Sequence, residues 1–552
     1  MMVAVFGGGH SGTAQVRYSI RPLPTDSLLH LRIATTFTGE ADGVTRFALP
    51  DDRFGVASLH RWVRDVEAGP NVRLAAREPG VYEVSHEPRA EVQVVYTVAY
   101  DPNEAGFKPF GPSVDAHHFH FFGAQWMARV GAEKGAHEVV RSIEVEFDDT
   151  DWDGAWASSY GVGPGPHRIQ ASDYDLDYSV VAGGAYRTAT AQCQGRPVLT
   201  AVHGDFAIAD ETVFALTDSV VCGQRSVFSD FDHPFFTVFI TERDDLEAGA
   251  PLLHGFTAFL DPGASEEELR WLLAHEMIHT WLPRSARVFE AEHPDAPESR
   301  TRWFHEGFTE YLARLTLVKQ GLLPRSWMVE QTNEDLRRLA YQPYRTLTLD
   351  ELDAATQASR YNGVHHRLHY VRGALLALNW DARIRRASEG EHSLVDPIRA
   401  LLREARANDG AIEIAALSRL FESFGVDAAA DIERYLEGGV LLPPELDAFA
   451  PDYALRSEEL PRFEPGFDVV HWIESGAIVD LKPGGTAERA GLREGMRIRR
   501  RGNAAPWHGR WDPSQPIILI VGEDEPRRFE FSATGPSMQV PVFVAVDESS
   551  SD

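Results

Sequence analysis

The chain has 552 residues and a formal net charge of −30, from 53 Lys and Arg against 83 Asp and Glu, with 43% hydrophobic and 25% charged residues. That length predicts about three or four domains, and the composition is that of a folded protein rather than a disordered or low-complexity chain. A surface this negative repels phosphate backbones and anionic lipid headgroups, so nucleic acid and membranes are poor partners.

The N-terminus lacks the basic region of a secretory signal, and no run approaches the ~20 apolar residues of a membrane span, so the expectation is a cytoplasmic protein. From about Val16 to Phe147 short, partly alternating runs such as Val16–Ile20, Leu29–Ile33, Val81–Val84 and Val92–Tyr100 predict an all-β domain. His117, His118 and His120 fall in this region. With no carboxylate or cysteine at recognisable spacing, they read as ordinary packing and surface rather than a metal site. The Asp/Trp/Gly/Pro-rich stretch Asp148–Pro166 reads as a linker, and Val198–Val202, Val213–Leu216 and Phe235–Ile240 as further strands. Cys193 and Cys222 are the only cysteines. Two free buried thiols are the favoured expectation, with a single bridge as the alternative.

Helical patterns dominate from Ser265 to about Tyr435, broken at Pro283, at the Glu292–Glu298 loop and at Gly321–Pro324. Ser265 with Glu268 three residues on forms a capping box, acidic residues fill the first turn, and Pro283 stops the helix. On that helix His275 and His279 sit at i and i+4. One face therefore carries both imidazoles about one turn apart, as a tetrahedral zinc ion requires of two nitrogen ligands. Glu276 is placed to deprotonate a water, while Leu269, Leu272, Leu273 and Ile278 anchor the helix. Downstream, Glu306 lies on a second apolar-periodic helix among Trp303, Phe304, Phe308 and Tyr311, where a buried carboxylate demands a cation. Two His and one Glu with an open fourth position describe a catalytic rather than a closed structural zinc site. Beyond Pro443 and Pro444 the pattern returns to short strands, ending in a polar tail expected to be disordered.

The runs His275-Glu-Met-Ile-His-Thr-Trp281 and Trp303-Phe-His-Glu-Gly-Phe-Thr-Glu-Tyr311 resemble the gluzincin zinc peptidases, specifically the glycyl aminopeptidase family with a C-terminal PDZ domain. Further similarity covers residues 171–183, 370–388 and 432–439. The resemblance implies a multidomain fold: an N-terminal β-sandwich-like domain (1–150), a thermolysin-like α+β zinc catalytic domain (151–330), a helical domain completing the active site (331–455), a PDZ-like β domain (456–545) and a tail (546–552). It implies one zinc ion per chain and a peptide or polypeptide substrate. The family's Tyr-x-Lys-Gly motif matches Tyr370-Val-Arg-Gly373, so the resemblance makes Tyr370 the oxyanion-stabilising residue, with Arg372 in place of Lys; the bland alternative is a core tyrosine. Residues 466–498 look like a bacterial-type PDZ domain with Met496 in place of Asp. Such a domain takes a peptide tail as an added strand, or else is packed as a docking domain with its groove unused.

One departure concerns specificity. Relatives carry Gly-Leu-Glu-His upstream of the zinc helix, and the Glu receives the substrate's free ammonium. Here Pro251-Leu-Leu-His254 matches at Leu252 and His254, with Thr257 for a downstream Ser, and Leu253 stands where Glu is expected. Leu253 and His254 are thus the substrate-binding candidates. The reading is a zinc peptidase, aminopeptidase-like by resemblance, with an endopeptidase or a peptidase for blocked N-termini as the alternative. A non-catalytic peptide-binding scaffold is the alternative of another class, and an intact Glu276 speaks against it.

Overall fold

The computed structural model describes residues 16–106, 108–131, 140–150, 152–244, 247–290, 298–359, 363–408, 410–500, 502–509, 511–522 and 526–546. The chain divides into two compact units, Met1–Thr280 and Trp281–Asp552.

In the first unit, Leu29–Thr38 buries alternate residues, Leu29, Leu31, Ile33 and Phe37 among them, so one face of its sheet is apolar. The six strands of that sheet run in the order His167–Ser172, Val140–Phe147, Val16–Pro24, Leu29–Thr38, Glu91–Val98 and Val63–Ala68. Val16–Pro24 pairs antiparallel with Leu29–Thr38 and parallel with Val140–Phe147. A four-stranded sheet, Ala155–Ser158, Val180–Gly184, His118–Phe122 and Ser113–Val114, follows the β-rich reading of the N-terminal region.

A five-stranded sheet supports the helix that carries His275 and His279. Its order is Arg187–Cys193, Arg196–His203, Phe236–Glu242, Gly255–Leu260 and Ala248–Leu252. The three central strands are mutually parallel, and Gly255–Leu260 is buried at every position, as a sheet covered on both faces requires. Helix α1 (Asp210–Phe228) makes the crossover between the first parallel pair. Helix α2 (Glu266–Ile278) follows the last parallel strand, opened by the predicted box: Ser265 Oγ accepts from Glu268 N–H at 3.2 Å while the Glu268 carboxylate accepts from Ser265 N–H at 2.7 Å. Leu269, Leu272, Leu273 and Ile278 are all buried, and the Gln224 side-chain amide donates to the Ala274 carbonyl at 3.1 Å, fixing α2 against α1.

Three expectations fail here. The stretch read as a linker contains the strand Ala155–Ser158, paired with Val180–Gly184; its Ala-Trp-Ala-Ser run supplies a sheet edge that its Asp and Gly neighbours masked. Val213–Leu216 belongs to α1 rather than to a strand, since four apolar residues carry no period of their own. Cys193 and Cys222 form a disulfide instead of two free thiols: the strand end and α1 bring their Cα atoms to 5.6 Å, which nothing in a separation of 29 residues announces.

The second unit is helical over most of its first half: α3 (Thr309–Lys319), α4 (Arg325–Tyr341), α5 (Leu349–Ser359), α6 (Gly363–Ala387), α7 (Val395–Ala407) and α8 (Ile414–Glu422). A short parallel pair, Arg287–Phe289 with Ala411–Glu413, adds strands to the region expected to be dominated by helices. The C-terminal part pairs Tyr453–Phe463 with Thr534–Ala545 and forms a three-stranded sheet of Ile498–Arg500, Ile517–Val521 and Arg527–Phe531 around Trp472, Trp507 and Leu519. Most of the predicted Glu292–Glu298 loop, and the tail beyond Val546, lie outside the described residues. No described helix is long and apolar enough to cross a membrane.

Candidate metal centre and catalytic residues

The last turn of α2 and its cap hold the first half of the candidate site. His275, Glu276 and His279 are buried, and one ligand atom from each falls within 4.8 Å of the others. The two histidine Nε2 atoms stand 3.2 Å apart, their rings nearly perpendicular at 83°. Two nitrogens at about 2.0–2.1 Å from one tetrahedral ion lie roughly 3.4 Å apart, so the donor pair fits a single zinc ion.

A contact invisible to motif reading frames Glu276. The sheet ends at the edge strand Ala248–Leu252, and a Cβ built on its Gly249 would lie 2.2 Å from Glu276 Cδ. Only a glycine lets the edge-strand backbone come this close to the carboxylate. Gly249 is therefore a site residue that sequence reasoning missed; a glycine two residues before the proline of an edge strand was the available signal.

Leu253 and His254 form the two-residue tip between Ala248–Leu252 and Gly255–Leu260. His254 takes a left-handed conformation, φ 59°, and its Nδ1 lies 3.0 Å from His233 Nδ1. Leu253 is 8% exposed, donates its N–H to the Tyr178 carbonyl at 3.0 Å, and packs with the apolar core of the N-terminal sheets.

The second unit brings Glu306 and Tyr370 together. Glu306 lies in a π-helical turn, Trp303–Phe308, that runs into α3; Trp303, Phe304 and Phe308 are buried, but their rings pack on one another and Glu306 itself is half-buried rather than enclosed as expected. Such turns insert a residue into a helix and re-aim a side chain. This one crosses α6 at two glycines: a Cβ on Gly307 would lie 2.3 Å from Gly373 Cα, and one on Gly373 would lie 1.9 Å from the Trp303 carbonyl oxygen. That crossing allows the Tyr370 hydroxyl, one turn earlier on α6, to donate to the Glu306 carboxylate. Burial, together with the Glu306 charge, raises the Tyr370 phenol well above its ordinary value, so it stays a proton donor. Arg367 sits 5.1 Å over the Tyr370 ring.

Arg372, the residue that departs from the family motif, is buried and donates to the carbonyls of Leu347, at 2.7 Å, and of Tyr435. Burial lowers its guanidinium to about 10. It ties α6 to two neighbouring segments, a task its several N–H groups suit. Beneath the π-helical turn, Arg314 bridges buried Glu310 and Asp335 at 2.6 and 2.7 Å, and the Tyr311 hydroxyl donates to Asp381 at 2.8 Å. The Val288 N–H donates to His305 Nε2 at 3.0 Å, holding the residue beside Glu306.

Residues 268–376 match the M61 glycyl aminopeptidase family. The matched stretch holds most of α2, together with Glu306 and Tyr370. Among solved structures, the chain is similar to an aminopeptidase N family protein from Idiomarina loihiensis, with 14% identity, a TM-score of 0.69, and coverage of 96% of this chain and 98% of that one. At that identity the likeness is one of fold. An M1 zinc metallopeptidase variant from Deinococcus radiodurans, bound to a Tyr-Ser-Ala substrate, matches at 16% identity and a TM-score of 0.48 over 78% of this chain and 95% of that one. No curated protein matches the chain.

Proposed function

We propose that this peptidase is zinc-dependent and aminopeptidase-like, with the ion held by His275, His279 and Glu306. The observation that carries the reading is the pair of Nε2 atoms 3.2 Å apart on the buried end of α2, with Glu276 between them in sequence and against the edge strand at Gly249. Zinc bound there would supply a Lewis acid that polarises the scissile carbonyl and brings a water's pKa towards ~7.

The chain's own residues supply the remainder. Glu276 is the general base that takes the proton from the attacking water and passes it to the leaving amine. Tyr370, kept protonated by its surroundings, donates to the oxyanion of the tetrahedral intermediate. An extended substrate adds its backbone to the open edge of Ala248–Leu252, which runs past Glu276 and so aligns one peptide carbonyl with the base. Residues 456–545 are the PDZ-like module of this reading and offer a second surface for a polypeptide tail.

Leu253 favours a second reading, in which internal bonds or blocked N-termini are cleaved. Digestion of a mixed peptide library with wild type and Glu276→Gln, with cut positions mapped by mass spectrometry, separates these readings. Cuts restricted to the first residue establish the aminopeptidase. Equal cutting by Glu276→Gln would remove the mechanism altogether.

A further inference from the structure

Outside the candidate catalytic centre, the described residues of the first unit gather one other cluster of metal-ligating side chains: Asp115, His118 and His203, with one ligand atom from each within 4.8 Å of the others. It draws on two sheets. Asp115 and His118 belong to the hairpin joining Ser113–Val114 to His118–Phe122 in the four-stranded sheet, while His203 ends the strand Arg196–His203 of the five-stranded sheet. The two imidazoles stack with centroids 3.6 Å apart and 23° between their planes.

Each member is set up to offer a donor atom. Asp115 Oδ1 accepts the N–H groups of His117 and His118 at 2.6 and 2.8 Å, which leaves Oδ2 facing His118 Nδ1 at 2.9 Å. His118 Nε2 lies 2.9 Å from Ser113 Oγ; with the ring proton donated there, Nδ1 presents its lone pair on the side of Asp115. His203 Nδ1 is buried and has no hydrogen-bond partner among the described residues. A buried polar atom of this kind carries a cost that a ligand relieves. His118 is buried, whereas the Asp115 side chain is 51% exposed, so the site has one dry wall and one open to solvent through which an ion can enter.

The neighbouring cations are already engaged. Arg187 is paired with Asp210 at 2.5 Å, and Arg243 donates to the Gly111 carbonyl at 3.1 Å and lies over the Phe259 ring. Two further carboxylates, Asp205 and Glu242, act on His203. Stacked imidazoles with no charge of their own, one of them facing Asp115, would also be a satisfactory packing arrangement, but that leaves His203 Nδ1 unsatisfied.

We propose that Asp115, His118 and His203 form a second zinc site, a structural clasp between the two sheets, with water completing its coordination. Two nitrogens and one carboxylate oxygen are a donor set that zinc accepts, at about 2.0–2.2 Å from each. Adjacent donors of a tetrahedral ion lie roughly 3.4 Å apart, so closing this cluster takes side-chain movements of about an ångström. With zinc on Nδ1, the neutral His118 ring carries its proton on Nε2 beside Ser113 Oγ, so binding releases no net proton.

The test is metal content. Wild type, His203→Gln and Asp115→Asn are stripped with chelator, re-equilibrated with Zn2+, cleared of loose metal, and assayed for zinc per chain. Both variants should hold one equivalent less than wild type, and the His275→Ala/His279→Ala chain should still hold one. Unchanged content in His203→Gln and Asp115→Asn overturns the proposal, as does a metal-free His275→Ala/His279→Ala chain. Circular dichroism checks the fold, and Asp115, on an exposed turn, serves if His203→Gln does not fold. Because the comparison is a difference between variants, it stands whether or not the catalytic reading holds.

Discussion

Two histidine clusters stand in the first unit and are built in opposite ways. His275, Glu276 and His279 come from the last turn of α2 and its cap, where the 3.6-residue period alone makes the two rings neighbours. Asp115 and His118 come from one hairpin and His203 from the end of a distant strand in another sheet, so the fold rather than the spacing brings His203 to the other two. Ligands that one helix presents can be read from spacing. A ligand that the fold brings from a distant strand, as His203 is brought to His118, cannot, even though Asp115 stands only three residues before His118. The two clusters should differ in consequence as well: the helical one supports chemistry and the sheet-borne one supports the structure.

Variants of the helical cluster have the largest expected effects. Glu276→Gln keeps shape but accepts no proton, so kcat should fall by roughly 10²–10⁴-fold or more with zinc retained. His279→Ala should lose the catalytic zinc and all turnover. Zinc analysis alongside steady-state kinetics on a peptide separates the two, and a Glu276→Gln enzyme of normal kcat would break the assignment. His203→Gln should leave kcat near wild type, which is the contrast the two clusters predict.

Tyr370→Phe retains the ring and removes one oxyanion donor. Loss of such a donor costs about 2.7–4 kcal/mol, so kcat should fall by roughly 10²–10³ with KM little changed. A normal kcat would return Tyr370 to the core-tyrosine reading.

The same distinction governs how much of the molecule its sequence discloses. The capping box at Ser265 and the buried face of α2 rest on local pattern, and both are present, whereas the aromatic neighbours of Glu306 leave it half-buried. The glycines at 249, 307 and 373 rest on close approaches between segments far apart in sequence, which no periodicity reports. Arg372 illustrates the limit differently: as a change from the family's Lys it looks like a change in the site, whereas its guanidinium is occupied with the Leu347 and Tyr435 carbonyls. The Cys193–Cys222 bridge and the Ala155–Ser158 strand were likewise set by tertiary neighbours rather than by their own composition.

Gly249→Ala is a smaller intervention. The new Cβ must push Glu276 or the edge strand aside, and misplacement of a catalytic group by about 1 Å costs on the order of 10²-fold in rate. The expected result is a fall in kcat with the zinc content unchanged. Wild-type kinetics would show that the edge strand yields freely and plays no part in positioning the base.

The sheet interior between the clusters offers a pH test of stability. His120 is fully buried, with Nε2 3.2 Å from Thr257 Oγ1, and burial lowers its pKa to about 3. Unfolded, it takes a proton near 6.5, so between about pH 6.5 and 3 the unfolded chain binds the extra proton. Stability is therefore full above pH 6.5 and falls with decreasing pH, by up to about 1.4 kcal/mol per pH unit for this group. Denaturant titrations should show a shallower slope in His120→Gln. An identical slope would mean that His120 does not carry the effect.

The smallest expected effect is a ratio close to one. A site built for free N-termini pairs the ammonium with a buried carboxylate, and removing one partner of such a pair costs on the order of 3–5 kcal/mol. Leu253 supplies no such partner and packs among apolar residues at the tip of its hairpin. Matched free and N-acetylated peptides should then be cleaved with kcat/KM values within about tenfold of each other, a difference of no more than roughly 1.4 kcal/mol. Leu253→Glu is the blunter instrument, because a carboxylate in that apolar setting is expensive to bury and would reduce stability before it altered preference. The substrate pair on wild type is decisive. A preference for the free amine above about a hundredfold would mean that a different carboxylate receives it, and the search would move to acidic residues along the edge of Ala248–Leu252 and around the π-helical turn.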